Sequence, residues 1–173
     1  MSATDTAAGK SPFWRFSVKF YAEPGVAQAC IDLQDQAGID VNLLFFLLWN
    51  ATQGRAFDAA QVAELDRSFG AWRDLAVIPL RTLRRGLKAP PPVLSADVAE
   101  GFRTRIKAVE LEAERLQQEA MFQLAQAGPL GRPATRADAA SASVAAYQAH
   151  LGGFPAQPLN TVLAAFAKFQ APV

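Results

Sequence analysis

The sequence predicts an all-α fold, a single helical bundle of about seven helices with one central apolar helix and a long helical hairpin. Three observations lead there. Apolar residues recur at intervals of three and four along nearly every segment. Glycine and proline, often beside Ser, Thr or Asp, punctuate those segments at their ends. No pair of alternating strand-like runs and no repeat of fixed period occurs. The 173 residues fit one domain, and 51% hydrophobic against 19% charged residues can bury a core.

Residues 1–10 are small and polar and are expected to form a mobile leader, with one domain over 11–173. Ser11 followed by Pro12 marks the first helix start, with Phe13, Phe16 and Phe20 on one side and Arg15 and Lys19 on a narrow wet face. Pro24 is expected to open a second helix in which Val26, Cys30, Leu33 and Ala37 share one side, and Gly38 ends it. Asp40 caps a third helix, Val41 to Gln53, whose run Leu43 to Trp49 leaves no continuous polar face and therefore claims the centre. Periodicity alone leaves a buried strand open for that run; leucine richness and the flanking caps favour helix.

Asp58 and Gln61 read as a capping box for a fourth helix carrying Val62, Leu65, Phe69 and Trp72. Pro79 is expected to kink or divide it after Ile78, leaving a further segment to Leu87. Ala89-Pro90-Pro91-Pro92 is a stiff polyproline linker at 89–92. Beyond it, one long helix runs from Ser95 or Asp97 to about Gln126, with Ile106, Val109, Ala113, Leu116 and Ala120 as its apolar seam. Gly128-Pro129, Gly131 and Pro133 break the chain before an alanine-rich helix from Thr135 to Leu151, which starts with a Thr135/Asp138 capping arrangement and whose packing drive is weak. After Gly152-Gly153-Phe154-Pro155, a last short helix carries Leu159, Val162, Leu163 and Phe166.

Composition excludes several function classes. Cys30 and His150 are single representatives of their types, too few for a disulfide framework or a Cys/His zinc site. No P-loop, GxGxxG or GxSxG element is present, so no cofactor and no catalytic residue is implied. The first residues lack the apolar core of a secretory signal, and the longest apolar run, Leu43 to Trp49, falls far short of the roughly 20 residues a membrane span needs. A soluble, reducing, cytoplasmic location is the expectation.

The total charge of +1 removes the global argument for nucleic acid, but the charge is segregated. Residues 1–66 carry net −4, residues 67–107 net +6, residues 108–126 net −3 and residues 127–173 net +2. Within the basic block Arg81, Arg84, Arg85 and Lys88 fall at i, i+3, i+4 and i+7, on one side of a helix. Guanidinium forks suit carboxylate or phosphate, and Arg73 joins them if the bend at Pro79 directs the two segments to one cleft. The alternative is a solvated face that pairs with the protein's own acids, such as Asp32, Asp35, Glu110 or Glu114.

A second candidate is a pocket of Asp32, Asp35, Asn42 and Trp49, with Arg73. Asp32 and Asp35 lie one turn apart on a polar face, too few carboxylates to argue for a metal. Asn42 and Asn50 stand on the most apolar helix, where a buried amide must either fix packing or line a pocket. Cys30 reads as a buried thiol and His150 as a cation at a helix C-terminus.

The segments Phe13-Trp14-x-Phe16, Tyr21-x-x-Pro24-Gly25-Val26, Cys30-x-x-Leu33-Gln34-Asp35, Gly38-x-Asp40-Val41-Asn42-Leu43-Leu44 and Pro79-Leu80-Arg81-x-x-Arg84-Arg85 together resemble an uncharacterised bacterial family. Its members are short proteobacterial proteins with a domain of unknown function. The likeness covers roughly residues 12–125 and implies a small stand-alone bacterial protein, with no activity, cofactor or site residue to carry over. The expected function is therefore a non-enzymatic binding or regulatory module that presents the arginine stripe to an acidic protein or small anion. The alternative is an enzyme or ligand carrier using Asp32, Asp35, Asn42 and Arg73. Oligomeric state and the role of the segment after Gly128 are left open.

Overall fold

The computed structural model describes residues 11–170, so the expected leader lies outside the described residues. The helices are α1 Pro12–Tyr21, α2 Val26–Ala37, α3 Val41–Thr52, α4 Ala59–Trp72, α5 Ile78–Gly86, α6 Ala96–Gln126, α7 Arg136–Leu151 and α8 Ala156–Lys168. A π-helical turn, Arg73–Val77, joins α4 to α5 without a break. Counted as one run, they leave seven helices among the described residues, the all-α architecture that the periodicity predicts. The chain divides into two compact units, residues 67–117 and the remainder.

In the larger unit α3 lies at the centre, with every residue from Asn42 to Ala51 buried. Its start is fixed by Asp40, whose carboxylate accepts the N–H of Asn42 at 2.8 Å and of Leu43 at 3.3 Å. Helix α1 begins as read, with the Ser11 hydroxyl accepting the Trp14 N–H at 3.1 Å and Pro12 in the first turn. Its Phe13 ring packs on Phe46 and Trp49 of α3. Helix α2 begins two residues later than expected. Gly25, at φ +80°, is its N-cap, so Pro24 belongs to the preceding turn; the chain must reverse through a left-handed residue that glycine alone adopts cheaply.

Two further expectations are corrected here. The alanine-rich α7 packs extensively, burying Ala139, Ala140, Ser143, Val144 and Tyr147, chiefly against α3. Small side chains let the two helices approach closely, and that proximity replaces large apolar residues as the source of contact. A short antiparallel strand pair also exists, Arg55–Ala56 with Arg132–Pro133. Two residues per strand lie below any periodicity signal. The pair depends on Gly131, at φ +64°, where an added Cβ would sit 2.5 Å from the Ala56 carbonyl oxygen.

Helix α8 covers α2 with Leu159, Val162 and Phe166, while Leu163 is half-buried. Phe166 and Phe169 then close onto α1, stacking edge-on against Phe20 at 6.0 and 5.2 Å, and Phe169 against Phe16 at 5.5 Å.

The unit 67–117 is a helical hairpin whose two arms are joined through the proline-containing turn at 87–95. Pro79 does not divide the helix. The Ile78 N–H reaches back to the Arg73 carbonyl, and this widened turn accommodates the proline that an unbroken α-helix would reject. The seam of α6 also differs from the expected one. Val109 and Leu116 are exposed, whereas Ala99, Glu110, Ala113 and Gln117 are buried within the hairpin.

Candidate functional site

The reason for that shift is the arginine stripe. Arg81 on α5 donates to Glu114 at 2.8 Å and to Glu110 at 3.3 Å. Arg84 forms a forked pair with Glu110, one arm of it at 3.1 Å and the other through its Nε. The Glu110 side chain is 7% exposed and those of Arg81 and Arg84 18% and 21%. A carboxylate this buried is tolerable only when paired and hydrogen-bonded. Two guanidinium groups that the spacing offers to an external anion thus hold α5 to α6, the intramolecular alternative for these two residues. At the end of α4, the Trp72 indole donates to the Ala113 carbonyl at 2.9 Å.

The other cations are placed differently. Arg85 and Lys88 are exposed at the C-terminal end of α5, where positive charge is also favoured by the helix dipole. Among the described residues Lys88 makes no ion pair. Arg73 does not extend toward them: its guanidinium folds back over Gly70 and bonds Asp74 at 3.2 Å.

The second set of candidate residues lies in the larger unit with separate partners. Asp32 is half-buried on α2 and accepts from Gln28 at 2.8 Å, and Asp35 is exposed. Asn42 is buried and accepts from the Gln118 amide at 2.7 Å, while Asn50 turns back to the Phe46 carbonyl at 2.9 Å. Asn42 is thus bonded across to α6, and Asn50 is satisfied within α3. Trp49 is buried among Phe13, Phe46 and Phe122. No group of three His, Cys, Asp or Glu side chains suited to a metal ion occurs among the described residues. His150 lies 3.0 Å from the Asp66 carboxylate.

Cys30 is buried in α2, and that burial pushes its thiol up to about 12 from 9.0. The folded protein should therefore resist a thiol reagent at pH 8 and react stoichiometrically once denatured, read by absorbance of the released chromophore. The raised value also fixes a sign. The stability due to the protonated thiol is whole below pH 9 and declines as pH rises toward 12, because the unfolded thiol ionises first. Rapid modification of the native protein at pH 8 would contradict this.

What residue spacing did not single out is how the hairpin distributes its apolar side chains. It buries only Val77, Ala99 and Ala113, yet holds eleven of the fifteen large apolar side chains that the described residues expose. Val93 is 86% exposed, Leu75 76% and Val98 60%; Phe102 is capped by the Arg105 guanidinium, 5.5 Å from the ring centroid. On α6 the exposed set includes Val109 and Leu116 of the expected apolar seam, together with Val98 and Phe102. With ten basic and six acidic side chains, the hairpin carries net +4.

A family model described as Protein of unknown function (DUF2390) matches residues 12–121. No curated protein and no solved structure matches the chain. No helix among the described residues is long and apolar enough to cross a membrane.

Proposed function

Since the chain belongs to the family Protein of unknown function (DUF2390), we propose its function from its own geometry: a non-enzymatic binding or regulatory module whose basic hairpin, residues 67–117, docks an acidic protein segment. The observation that carries this reading is the hairpin's apolar exposure. Contiguous exposed apolar surface marks interaction sites, and eleven large exposed apolar side chains fall within this one small unit. The partner's sign follows from the net +4 and from Arg85 and Lys88, exposed at the C-terminal end of α5. Arg81 and Arg84 support the site indirectly, by holding the α5 face in place. The reading places the protein in a reducing, cytoplasmic setting, in keeping with its single buried, unpaired cysteine.

A defined probe tests it. A labelled amphipathic helical peptide of leucine and glutamate should bind the full chain, with anisotropy falling as salt rises. The variant R85E/K88E should weaken binding by about tenfold or more, since each 1.4 kcal/mol of lost attraction is one decade. Equal binding by wild type and variant, or equal binding of a leucine–glutamine peptide, would overturn the reading.

A further inference from the structure

We propose that the cleft between α7 and α8 binds a small monocarboxylate with an apolar body, its carboxylate on Arg136 and its chain between the two helices. The site lies in the larger unit, apart from the hairpin assigned to an acidic partner. Helix α7 is packed on α3 and α8 on α2 rather than on each other, and a space of about 340 Å³ remains between them. That is near the lower end of the roughly 300 to 1,000 Å³ in which proteins hold small organic molecules. Ala137, Ala140 and Ser141 line one side, Leu163 and Phe166 the other. Side chains no larger than serine on α7 leave the room that a leucine would fill.

Arg136 sets the charge of the occupant. It stands in the first turn of α7, where the helix dipole disfavours a cation. The other helix holds it there: Nη2 donates to the carbonyls of Phe166 at 2.8 Å and Phe169 at 2.5 Å, at the end of α8. The guanidinium carbon also lies 4.5 Å from the centroid of the Phe166 ring. A guanidinium carries five N–H donors. Both of these bonds come from Nη2, which leaves the donors of Nε and Nη1, and Arg136 makes no ion pair among the described residues. A half-buried guanidinium fixed by two carbonyls and a ring, with donors unspent, is ordered before a carboxylate arrives, so binding need not supply that ordering.

The surroundings suit an anion. Asp138 is the one acid in α7 and α8, and its carboxylate accepts from the Thr135 hydroxyl at 2.8 Å. Lys168 is exposed in the last turn of α8, and the start of α7 presents the positive end of its dipole. The rest of the lining is alanine, leucine and phenylalanine with the single hydroxyl of Ser141, which fits a hydrocarbon body with one charged head rather than a ligand polar throughout. The segment after Gly128 thereby gains a role besides covering α3 and α2.

Titration of the isotope-labelled full chain with octanoate, followed by amide NMR, tests this. Saturable shifts are expected at residues 136–141 and 163–167, and 1-octanol, which lacks the charge, should bind about tenfold more weakly or worse. Arg136→Gln should weaken octanoate binding by about tenfold or more, each decade being about 1.4 kcal/mol. Because that change also frees the end of α8, Ser141→Leu is the second variant. Ser141 is exposed, so helix content and melting should hold while the filled cleft no longer takes octanoate. R85E/K88E, which tests the acidic-partner reading, should bind octanoate as wild type does. Octanol binding as tightly as octanoate overturns the proposal. So do octanoate shifts confined to the hairpin, unchanged binding by Ser141→Leu, or a titration that never saturates.

Discussion

Glu110→Ala should destabilise the hairpin by roughly 3 kcal/mol, the lower part of the range for breaking a buried ion pair, because the two arginines keep about a fifth of their side chains in water. Removing Glu110 leaves Arg84 without its forked partner and Arg81 with Glu114 alone. Hydrogen exchange of the α5 amides under native conditions would read the loss locally, since opening of the hairpin need not unfold the larger unit. A triple replacement, Arg81→Met, Arg84→Met and Glu110→Leu, should be near neutral or stabilising, as it removes the desolvation cost with the pair. A loss below about 1 kcal/mol for Glu110→Ala is what an exposed pair gives, and would mean that something else holds the arms together.

The second large effect concerns a stretch outside the family match. A chain ending at Gly128 should lose cooperative unfolding altogether, although it keeps residues 12–121 complete. It lacks α7 and α8, and with them the cover over α3 and α2. Phe16 and Phe20 lose Phe166 and Phe169. The Asp40 N–H loses the Tyr147 hydroxyl at 2.9 Å, and the Phe57 N–H loses the Ser143 hydroxyl at 2.9 Å. Each large apolar side chain returned to water costs about 1.5 to 3 kcal/mol, and several together exceed the 5 to 15 kcal/mol that typically separates folded from unfolded states. Thermal melting by circular dichroism, with amide dispersion in NMR, checks it. A sharp transition in the shortened chain would show that the matched region folds alone.

Much of the helix inventory was legible because its signals are local. Ser11, Asp40, Gly38, the Asp58/Gln61 box and Thr135 act on groups within four residues, and each appears in its expected role. The apolar run of α3 forecast its burial because no face of that helix could meet water. What was not legible involved a second element. The π-helical turn that absorbs Pro79, the strand pair held by Gly131 and the packing of alanine-rich α7 all depend on segments distant in sequence. The candidate site divides the same way: the alignment of Arg81, Arg84, Arg85 and Lys88 on one helix side could be read, but the capture of the first two by Glu110 and Glu114 was only one of several open pairings.

Helix α6 shows where the boundary falls. Its spacing defines two adjacent stripes, one containing Val109 and Leu116 and the other Glu110, Ala113 and Gln117, and hydrophobicity alone favours burying the first. The folded protein buries the second, because the arginines of α5 neutralise Glu110 and so remove the penalty that would have kept it in water. Caps, breaks and the faces of single helices are short-range properties that the residues settle among themselves. Which face turns inward is decided by whatever approaches it, and here the approaching charge outweighed the apolar alternative.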